Sequence, residues 1–443
     1  MNIFALSTGR GPSGIAILRL SGKDSLQISK LITKKNDIKS KEANLCKFYD
    51  PSNGSVIDEG LLLWSPGPNS YTGEDLAEFH THGSNAVVNC FLKVLGEQEN
   101  CRLAEPGEFT KLAFHNNKMD LVKAESIGDL IHAETELQRQ QAIKFTQGNA
   151  SNYYNSLREK LVKSLSYIEA KIDFAEDDLP ENVLKEVQDS IRQVHKDIKK
   201  ILEDQKIGEK IRDGFRISII GDVNAGKSSL LNLLSKREAA IVSEQEGTTR
   251  DVIETYLNID GYPVILADTA GIRKVKNKVE KEGIKRAIKK AKDADLTLIM
   301  IDASKKTINK DIKQLINEDC ILVYNKSDLR KKTTKNQFKK NDQILISVKN
   351  NKNIDSLIKT IKEKLSKKFM KVNNILVTRE RHRVKLNAAL KEIEKFLEKD
   401  QKKEIETAAE DLRLATRHLG SIVGKVDVEE ILGSIFQDFC IGK

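Results

Sequence analysis

The chain has 443 residues, 39% of them hydrophobic, and carries 75 Lys and Arg against 65 Asp and Glu, a formal net charge of +10. That length leaves room for about three domains of ordinary size, and the composition suits a folded chain with ample core. No stretch approaches the ~18 apolar residues of a membrane span, and five scattered cysteines without a C-x-x-C pair (Cys46, Cys90, Cys101, Cys320, Cys440) exclude a disulfide framework or a zinc site.

Met1-Asn2-Ile3-Phe4-Ala5-Leu6 runs straight into an apolar segment with no basic leader and no Arg-rich transit peptide. A cytoplasmic protein, off the membrane, is the expectation. The basic balance is compatible with a nucleic-acid partner. Lysine tracts such as "IKRAIKKAKDAD" read equally well as solvated helix faces.

Residues 2–115 read as mixed α/β. "NIFALST" and "SGIAILRLSG" are short strands separated by the Gly9-Arg10-Gly11-Pro12 breaker. Ser21 to Ile32 then has helical spacing after a possible cap. From about Lys118 the pattern is helical, and Leu157, Leu161, Leu165, Ile168 and Ile172 form a stripe facing a partner. Helices of mixed charge continue to about Lys210.

At Gly214 the period changes. "FRISIIGD", "YPVILADTAG", "DLTLIMIDAS" and "CILVYNKSD" are apolar runs of strand length separated by helix-length segments, the alternation of a parallel sheet covered on both faces. After about Phe369 helices return, with Leu386, Leu390, Ile393 and Leu397, then Ala408, Leu412, Ala415 and Leu419. The economical topology is an α/β multidomain chain. An N-terminal α+β domain spans 1–117, and a helical domain, 118–212 and 371–443, is split by an inserted doubly wound α/β domain at 213–370.

"GDVNAGKSSLLNLLS" (221–235) fits G-x-x-x-x-G-K-[ST] between a strand and a helix, the context in which backbone amides wrap phosphate oxygens. Asn224, Ala225, Gly226, Lys227, Ser228 and Ser229 are the expected contacts. Lys227 neutralises the β- and γ-phosphates and Ser228 ligates Mg²⁺. Gly247, Thr248 and Thr249 supply a loop threonine, Thr249, for the same metal. In Asp268-Thr269-Ala270-Gly271, Asp268 lies near the metal and Gly271 offers its amide to the γ-phosphate. Asn325, Lys326 and Asp328 of "NKSD" read guanine, whose N1–H and 2-amino group a carboxylate accepts while adenine offers no such pair. Ser347, Val348 and Lys349 follow the next strand and touch the base edge. In the order of these motifs the domain resembles the translation-factor-type GTPases. Ile272 stands where Ras-like members of that class carry a water-positioning glutamine, a trans arginine finger is not assumed either, and something has to supply that charge.

The chain ends on "QDFCIGK". Gly442 and Lys443 do not suit a prenylation signal at Cys440. Ile431, Leu432, Ile435, Phe436 and Phe439 recur at helical spacing, which implies a docked helix rather than a frayed tail.

The chain as a whole resembles the MnmE/TrmE family of tRNA wobble-uridine modification GTPases. The matching stretches run end to end: "GRGPSGIAILRLSG", "SYTGEDLAEFHTHG", "PGEFTKLAFHNNKMDLVKAESIGDLI", "KIDFAEDDLP", "GTTRD", "RLATRHLGSIVG" and "FCIGK". The resemblance implies a homodimer whose facing G domains enclose K⁺ where an arginine finger would reach. Asn224, Ser243, Gln245 and Thr248 would ligate that ion. Ser243, Glu244, Gln245 and Glu246 would line the nucleotide loop, and Glu280 would orient the attacking water. It further implies that 1–117 is a folate-binding and dimerisation domain, with 5-formyl- or methylene-tetrahydrofolate held by Arg19, Glu78, Lys118 and Lys443. Cys440 would assist there if neighbouring positive charge lowers its pKa. The partners it implies are tRNA and an FAD-dependent MnmG-type protein, with FAD entering only through that partner. The chain departs from the family at Val223, at "SVK" for Ser-Ala-Lys and at Ser84, and Glu244 and Glu246 add carboxylates to the ion-enclosing loop. Two rivals remain at this point: an rRNA-binding assembly switch, and a folate-dependent transferase whose GTPase is only regulatory.

Overall fold

The structure, a computed structural model, describes residues 1–173, 182–222, 224–237, 240–241, 254–267, 293–304, 310–329, 342–369, 375–400 and 403–426, with Leu432, Ile435, Phe436, Phe439 and Gly442. They divide into two compact units. The first comprises Met1–Gly128, Phe145–Glu159 and Thr416–Lys443, and the second Asp129–Lys144 and Lys160–Ala415.

The first unit holds strands β1 (Asn2–Leu6), β2 (Ser13–Ser21), β3 (Asn44–Tyr49), β4 (Val56–Ser65), β5 (Leu76–Gly83) and β6 (Cys101–Leu103). They form one sheet in the order β3-β4-β5-β2-β1-β6, antiparallel except for the β1–β6 pair. Helices α1 (Ser25–Thr33) and α2 (Asn85–Gly96) bury Ile28, Ile32, Phe91 and Leu95 against Leu18, Leu20, Phe48, Leu62 and Phe79 of the sheet. Sequence spacing starts α1 at Ser21. Ser21 instead closes β2, buried, its hydroxyl 2.8 Å from that of Thr72, and Gly22 at φ +138° breaks the strand before the helix starts at Ser25.

On the opposite face, α3 (Glu108–His115) buries Phe109 against Ile3, Ala5 and Leu76. Helix α4 (Leu121–Ile131) gives Leu121 and Ala124 to a cluster with Leu432, Ile435, Phe436 and Phe439. Leu432, Ile435, Phe436 and Phe439 are therefore docked, as their spacing implies, while Ile431 lies outside the described residues. A Cβ on Gly128 would sit 3.1 Å from the Phe439 ring, so the ring lies flush on the helix backbone.

Next in the chain come α5 (Glu136–Thr146), α6 (Asn149–Asp173), α7 (Asn182–Leu202) and α8 (Ile207–Asp213). The second unit's sheet is built from β7 (Phe215–Gly221), β8 (Ala240–Ile241), β9 (Glu254–Ile259), β10 (Tyr262–Ala267), β11 (Leu296–Asp302), β12 (Cys320–Asn325) and β13 (Asp342–Leu345). Its order is β13-β12-β11-β7-β10-β9-β8, parallel from β13 to β10 and antiparallel at the β9 edge. Alternate residues of β11 go to different cores. Leu296, Leu298 and Met300 join Leu230 and Leu234 of α9 (Lys227–Arg237), while Ile299 and Ile301 pack with Ile312 and Leu322. That two-sided burial is why the strand reads as an unbroken apolar run.

After α10 (Lys310–Lys313) and α11 (Ile354–Phe369), which adds Leu357, Ile361 and Leu365 to the first of those cores, the chain continues into α12 (Glu380–Glu398) and α13 (Ile405–Val423). Helix α12 packs on α7. Its fully buried seam is Leu386, Ala389, Ile393 and Phe396; Leu390 and Leu397, expected on that stripe, are only half-buried. Among the described residues, no helix is long and apolar enough to cross a membrane.

Helix α8 joins these helices to β7. Gly208 lies against the Val377 carbonyl, leaving no room for a Cβ. Arg383 of α12 sends Nε to Glu209 Oε1 at 2.8 Å, and Nη2 to Glu209 Oε2 at 2.7 Å and Asp204 Oδ1 at 2.8 Å, all three side chains buried. The Glu209 and Asp204 carboxylates push the guanidinium still further above its ordinary range. Removing it leaves two buried carboxylates uncompensated. Arg383→Met is expected to cost about 3–5 kcal/mol, read as a lower urea midpoint by far-UV circular dichroism, with Arg383→Lys losing less.

Candidate functional site

Strand β7 ends at Gly221, packed so tightly on β11 that a Cβ would strike the Met300 carbonyl. The chain then turns into α9 through Asn224 at φ +63° and Gly226 at φ +99°. Asparagine tolerates the left-handed region, and glycine enters it without penalty. At Gly226 there is a second reason for glycine, because a Cβ would run into the Asn325 amide nitrogen. The Ala225 amide bonds the Asp222 carbonyl at 3.2 Å, and the Leu230 amide bonds the Gly226 carbonyl at 2.9 Å as α9 begins. Lys227 Nζ donates to the carbonyls of Gly221 and Asp222, both at 2.8 Å, which holds the ammonium across the loop. Ser228 and Ser229 follow in the first turn of α9.

The base-reading segment starts where β12 ends. Asn325 is 3% exposed. Its Nδ2 donates to the Ala225 carbonyl at 2.9 Å, and its Oδ1 accepts from the Val348 amide at 3.1 Å. One carboxamide thus ties the phosphate loop to the segment after β13. Asp328 lies on a 3₁₀ turn, Ser327–Leu329, where Oδ1 accepts from the Ser347 hydroxyl at 2.7 Å. That bond above all keeps its carboxyl below the usual range, helped by Lys349 and Lys326. The Ser347 hydroxyl in turn accepts the Asn350 amide at 3.3 Å, and Ser347 and Lys352 exchange backbone bonds at 3.2 and 2.9 Å.

Lys326, at φ +63°, places Nζ 2.6 Å from Oδ2 of Asp302, the last residue of β11. The Asp302 Oδ1 accepts the Ser304 amide at 3.0 Å and the Ser304 hydroxyl at 2.6 Å. Burial alone would raise the Asp302 carboxyl; the bonds from Lys326 and Ser304 outweigh it and hold it below the ordinary range. Sequence reading did not single out Asp302. Its signal was a charged residue closing an otherwise apolar strand.

A second constellation sits on the first unit's sheet. Arg19 of β2 and Glu78 of β5 are register neighbours, with Nε and Nη2 at 2.9 and 2.7 Å from Oε1. The guanidinium lies over the rings of Tyr71 and Phe109, 5.3 and 5.6 Å from their centroids. Burial raises the Tyr71 phenol, whose oxygen is 2.8 Å from that of Thr110. Arg19 Nη1 and Ser7 Oγ both donate to the Gly442 carbonyl, at 3.3 and 2.8 Å. Gly442 has φ +96°, and a Cβ there would strike the Leu6 carbonyl. Arg19 and Glu78, both expected at the folate site, are each other's partner in the structure. Lys118 is exposed, its amide bonded to the Ala113 carbonyl at 2.8 Å and its stem beside Gly73. Ser7 and Tyr71 were missed, because only the tertiary fold brings them to Arg19, one through the shared Gly442 carbonyl and the other through its ring.

Ser243, Glu244, Gln245, Glu246, Gly247, Thr248, Thr249, Asp268, Thr269, Ala270, Gly271, Glu280, Cys440 and Lys443 lie outside the described residues. Among the described residues, no group of three or more His, Cys, Asp or Glu side chains is arranged to hold a metal ion.

A largely parallel sheet with a G-x-x-x-x-G-K-S loop at its central strand, braced to a second loop two strands away, is the architecture of a phosphate-loop nucleotide-binding protein. Residues 2–118 match the family model described as GTP-binding protein TrmE N-terminus, and residues 121–440 match that of the MnmE helical domain. A tRNA modification GTPase MnmE from Pelagibacter ubique is 58% identical over 443 residues, covering 100% of both chains. Proteins of the same name from Rickettsia bellii (strain RML369-C) and Paramagnetospirillum magneticum are 44% and 42% identical, each match covering 100% of this chain and 99% of the other. Among solved structures, the G domain of the T. maritima FeoB iron transporter matches 34% of this chain and 98% of its own, at 21% identity and a TM-score of 0.25, too low to speak for the fold. This chain belongs to the MnmE family.

Gly226→Ala forces a side chain into a left-handed backbone and against the Asn325 amide. Strain of 1–3 kcal/mol predicts a loss of roughly 10- to 100-fold in guanine-nucleotide affinity, measured by titration with a fluorescent GDP analogue.

Proposed function

We propose that this chain hydrolyses GTP to drive C5 modification of the wobble uridine of certain tRNAs, as a homodimer working with an FAD-dependent MnmG-type partner. As a member of its family it is a GTP hydrolase of tRNA modification. The domains are read as a folate-binding and dimerisation domain at 1–117, a helical domain at 118–212 and 371–443, and a G domain at 213–370.

The observation that carries the reading is the brace at Asn325, with Asp328 held ionised beside it. A carboxylate there accepts both N1–H and the 2-amino group of guanine, and an adenine edge leaves it unpaired. Lys227, held at the mouth of the phosphate loop by two carbonyls, exchanges them for the more strongly attracting phosphate oxygens.

The donor set suits two cations. Ser228 and Thr249 offer hydroxyl oxygens of the hard kind that Mg²⁺ takes. Asn224, Ser243, Gln245 and Thr248 offer amide, hydroxyl and carbonyl oxygens that suit K⁺. Bound there, the ions would offset negative charge as it develops on the phosphates. Glu280 would orient the attacking water, and Glu244 and Glu246 would add to the negative field around the alkali ion.

In the first unit, Arg19, Glu78, Lys118 and Lys443 are proposed to hold a 5-formyl- or methylene-tetrahydrofolate, which would supply the one-carbon unit. Because Arg19 and Glu78 are already paired, they act as one unit, in which the free carboxylate valence of Glu78 would accept pterin N–H donors. Cys440 and Lys443, which lie outside the described residues, are included in this proposal only as sequence neighbours of Gly442, whose carbonyl is bonded to Arg19.

Asp328→Asn replaces an acceptor with a donor where guanine carries its 2-amino group. GTP affinity is expected to fall about 10²-fold or more while xanthosine triphosphate, with a carbonyl at that position, gains. Unchanged GTP affinity would remove the base-reading assignment. GTP hydrolysis by the unaltered protein should run about 10²-fold faster in K⁺ than in Na⁺ at matched ionic strength; equal rates would remove the alkali ion but not the fold.

A further inference from the structure

Two carboxylates, Asp302 at the end of β11 and Asp328 on the base-reading turn, feel the one ammonium of Lys326. Asp328 is exposed and lies two residues beyond Lys326 on the same turn. Asp302 is buried at the end of β11 and takes Lys326 Nζ at 2.6 Å. Oppositely charged groups so close in sequence attract one another on a surface, though weakly. An ammonium resting on Asp328 would occupy the acceptor that a guanine must use.

Two features of Asp302 make it the stronger competitor. Its other oxygen is fixed by the Ser304 amide and hydroxyl, at 3.0 and 2.6 Å, so the carboxylate is held in place before the lysine arrives. It is also withdrawn from water, where a charged hydrogen bond is stronger than on the exposed turn. The left-handed backbone of Lys326 (φ +63°) accompanies a side chain directed to β11 rather than along its own turn.

We propose that Asp302 is a specificity-determining positioning residue: by holding the Lys326 ammonium it keeps that cation off Asp328 and leaves Asp328 to the guanine edge. The inference rests on the guanine reading of Asp328. It makes the last residue of β11 part of base selection without contact with the base.

The test is stopped-flow release of a fluorescent GDP analogue from the full-length protein and from Asp302→Ala, Asp302→Asn, Lys326→Met and the double variant Asp302→Ala/Lys326→Met. Asp302→Ala is expected to release GDP about tenfold faster and to lose preference for GDP over IDP, which lacks the 2-amino group. Asp302→Asn, which keeps an oxygen in place, falls between it and the unaltered protein. The double variant releases GDP no faster than Lys326→Met, because the competing ammonium is gone. Release from Asp302→Ala at the unaltered rate, or a double variant faster than Lys326→Met, overturns the proposal, the latter because the effect of Asp302 then does not run through the ammonium. If the unaltered protein shows no preference for GDP over ADP, the guanine reading itself falls, and the inference with it.

Discussion

One buried carboxamide keeps the nucleotide site in register. Asn325 bonds the phosphate loop through its nitrogen and the segment after β13 through its oxygen, so the loops of β7, β12 and β13 cannot drift independently. Parallel strands make this possible, because their carboxyl ends share one edge of the sheet and their loops meet there. Burial makes it rigid, since water does not exchange with either bond. The same amide dictates glycine at position 226, where it occupies the space of a side chain. A residue from the base-reading motif thus fixes a residue of the phosphate motif a hundred positions away.

Much of this was legible in the sequence, for reasons that differ from element to element. Strands β11 and β12 announced themselves because both their faces are buried, and the phosphate loop because its chemistry tolerates few residue types. Strand β9 (ETYLNI), next to the β8 edge, was not singled out, and the edge strand β13 (DQIL) was placed only as the strand before Ser347, since a strand with one wet face or a short edge carries little apolar signal. The α12 seam was displaced because Ala389 and Phe396 complete the buried face, and an alanine contributes little to an apolar count. The pairing of Arg19 with Glu78 needed the β2–β5 register, a nonlocal quantity that residue types alone do not contain. Asp302 was hidden for the same reason: its partner comes from the neighbouring strand's loop.

The second unit also shows how its helices are joined to the sheet that carries the nucleotide motifs. Helix α8 is short, yet it has Gly208 flush against the 377 carbonyl, Glu209 in a buried ion cluster with α12, and Ile207 and Ile211 in the core beneath the sheet. It leads through Gly214 directly into β7, whose far end is the phosphate loop. A buried ion cluster is weak evidence for net stability, but it fixes one geometry in which all charges are satisfied.

The Gly442 carbonyl, held by Ser7 and Arg19, has a bearing on how the protein is made. The first unit draws its residues from both sides of the second, so the N-terminal sheet is synthesised long before Phe436, Phe439 and Gly442 can complete it. During translation Leu121 and Ala124 of α4 wait uncovered by Phe436 and Phe439, which follow emergence of the whole nucleotide-binding sheet. Any extension fused after residue 443 begins two residues beyond that closing contact.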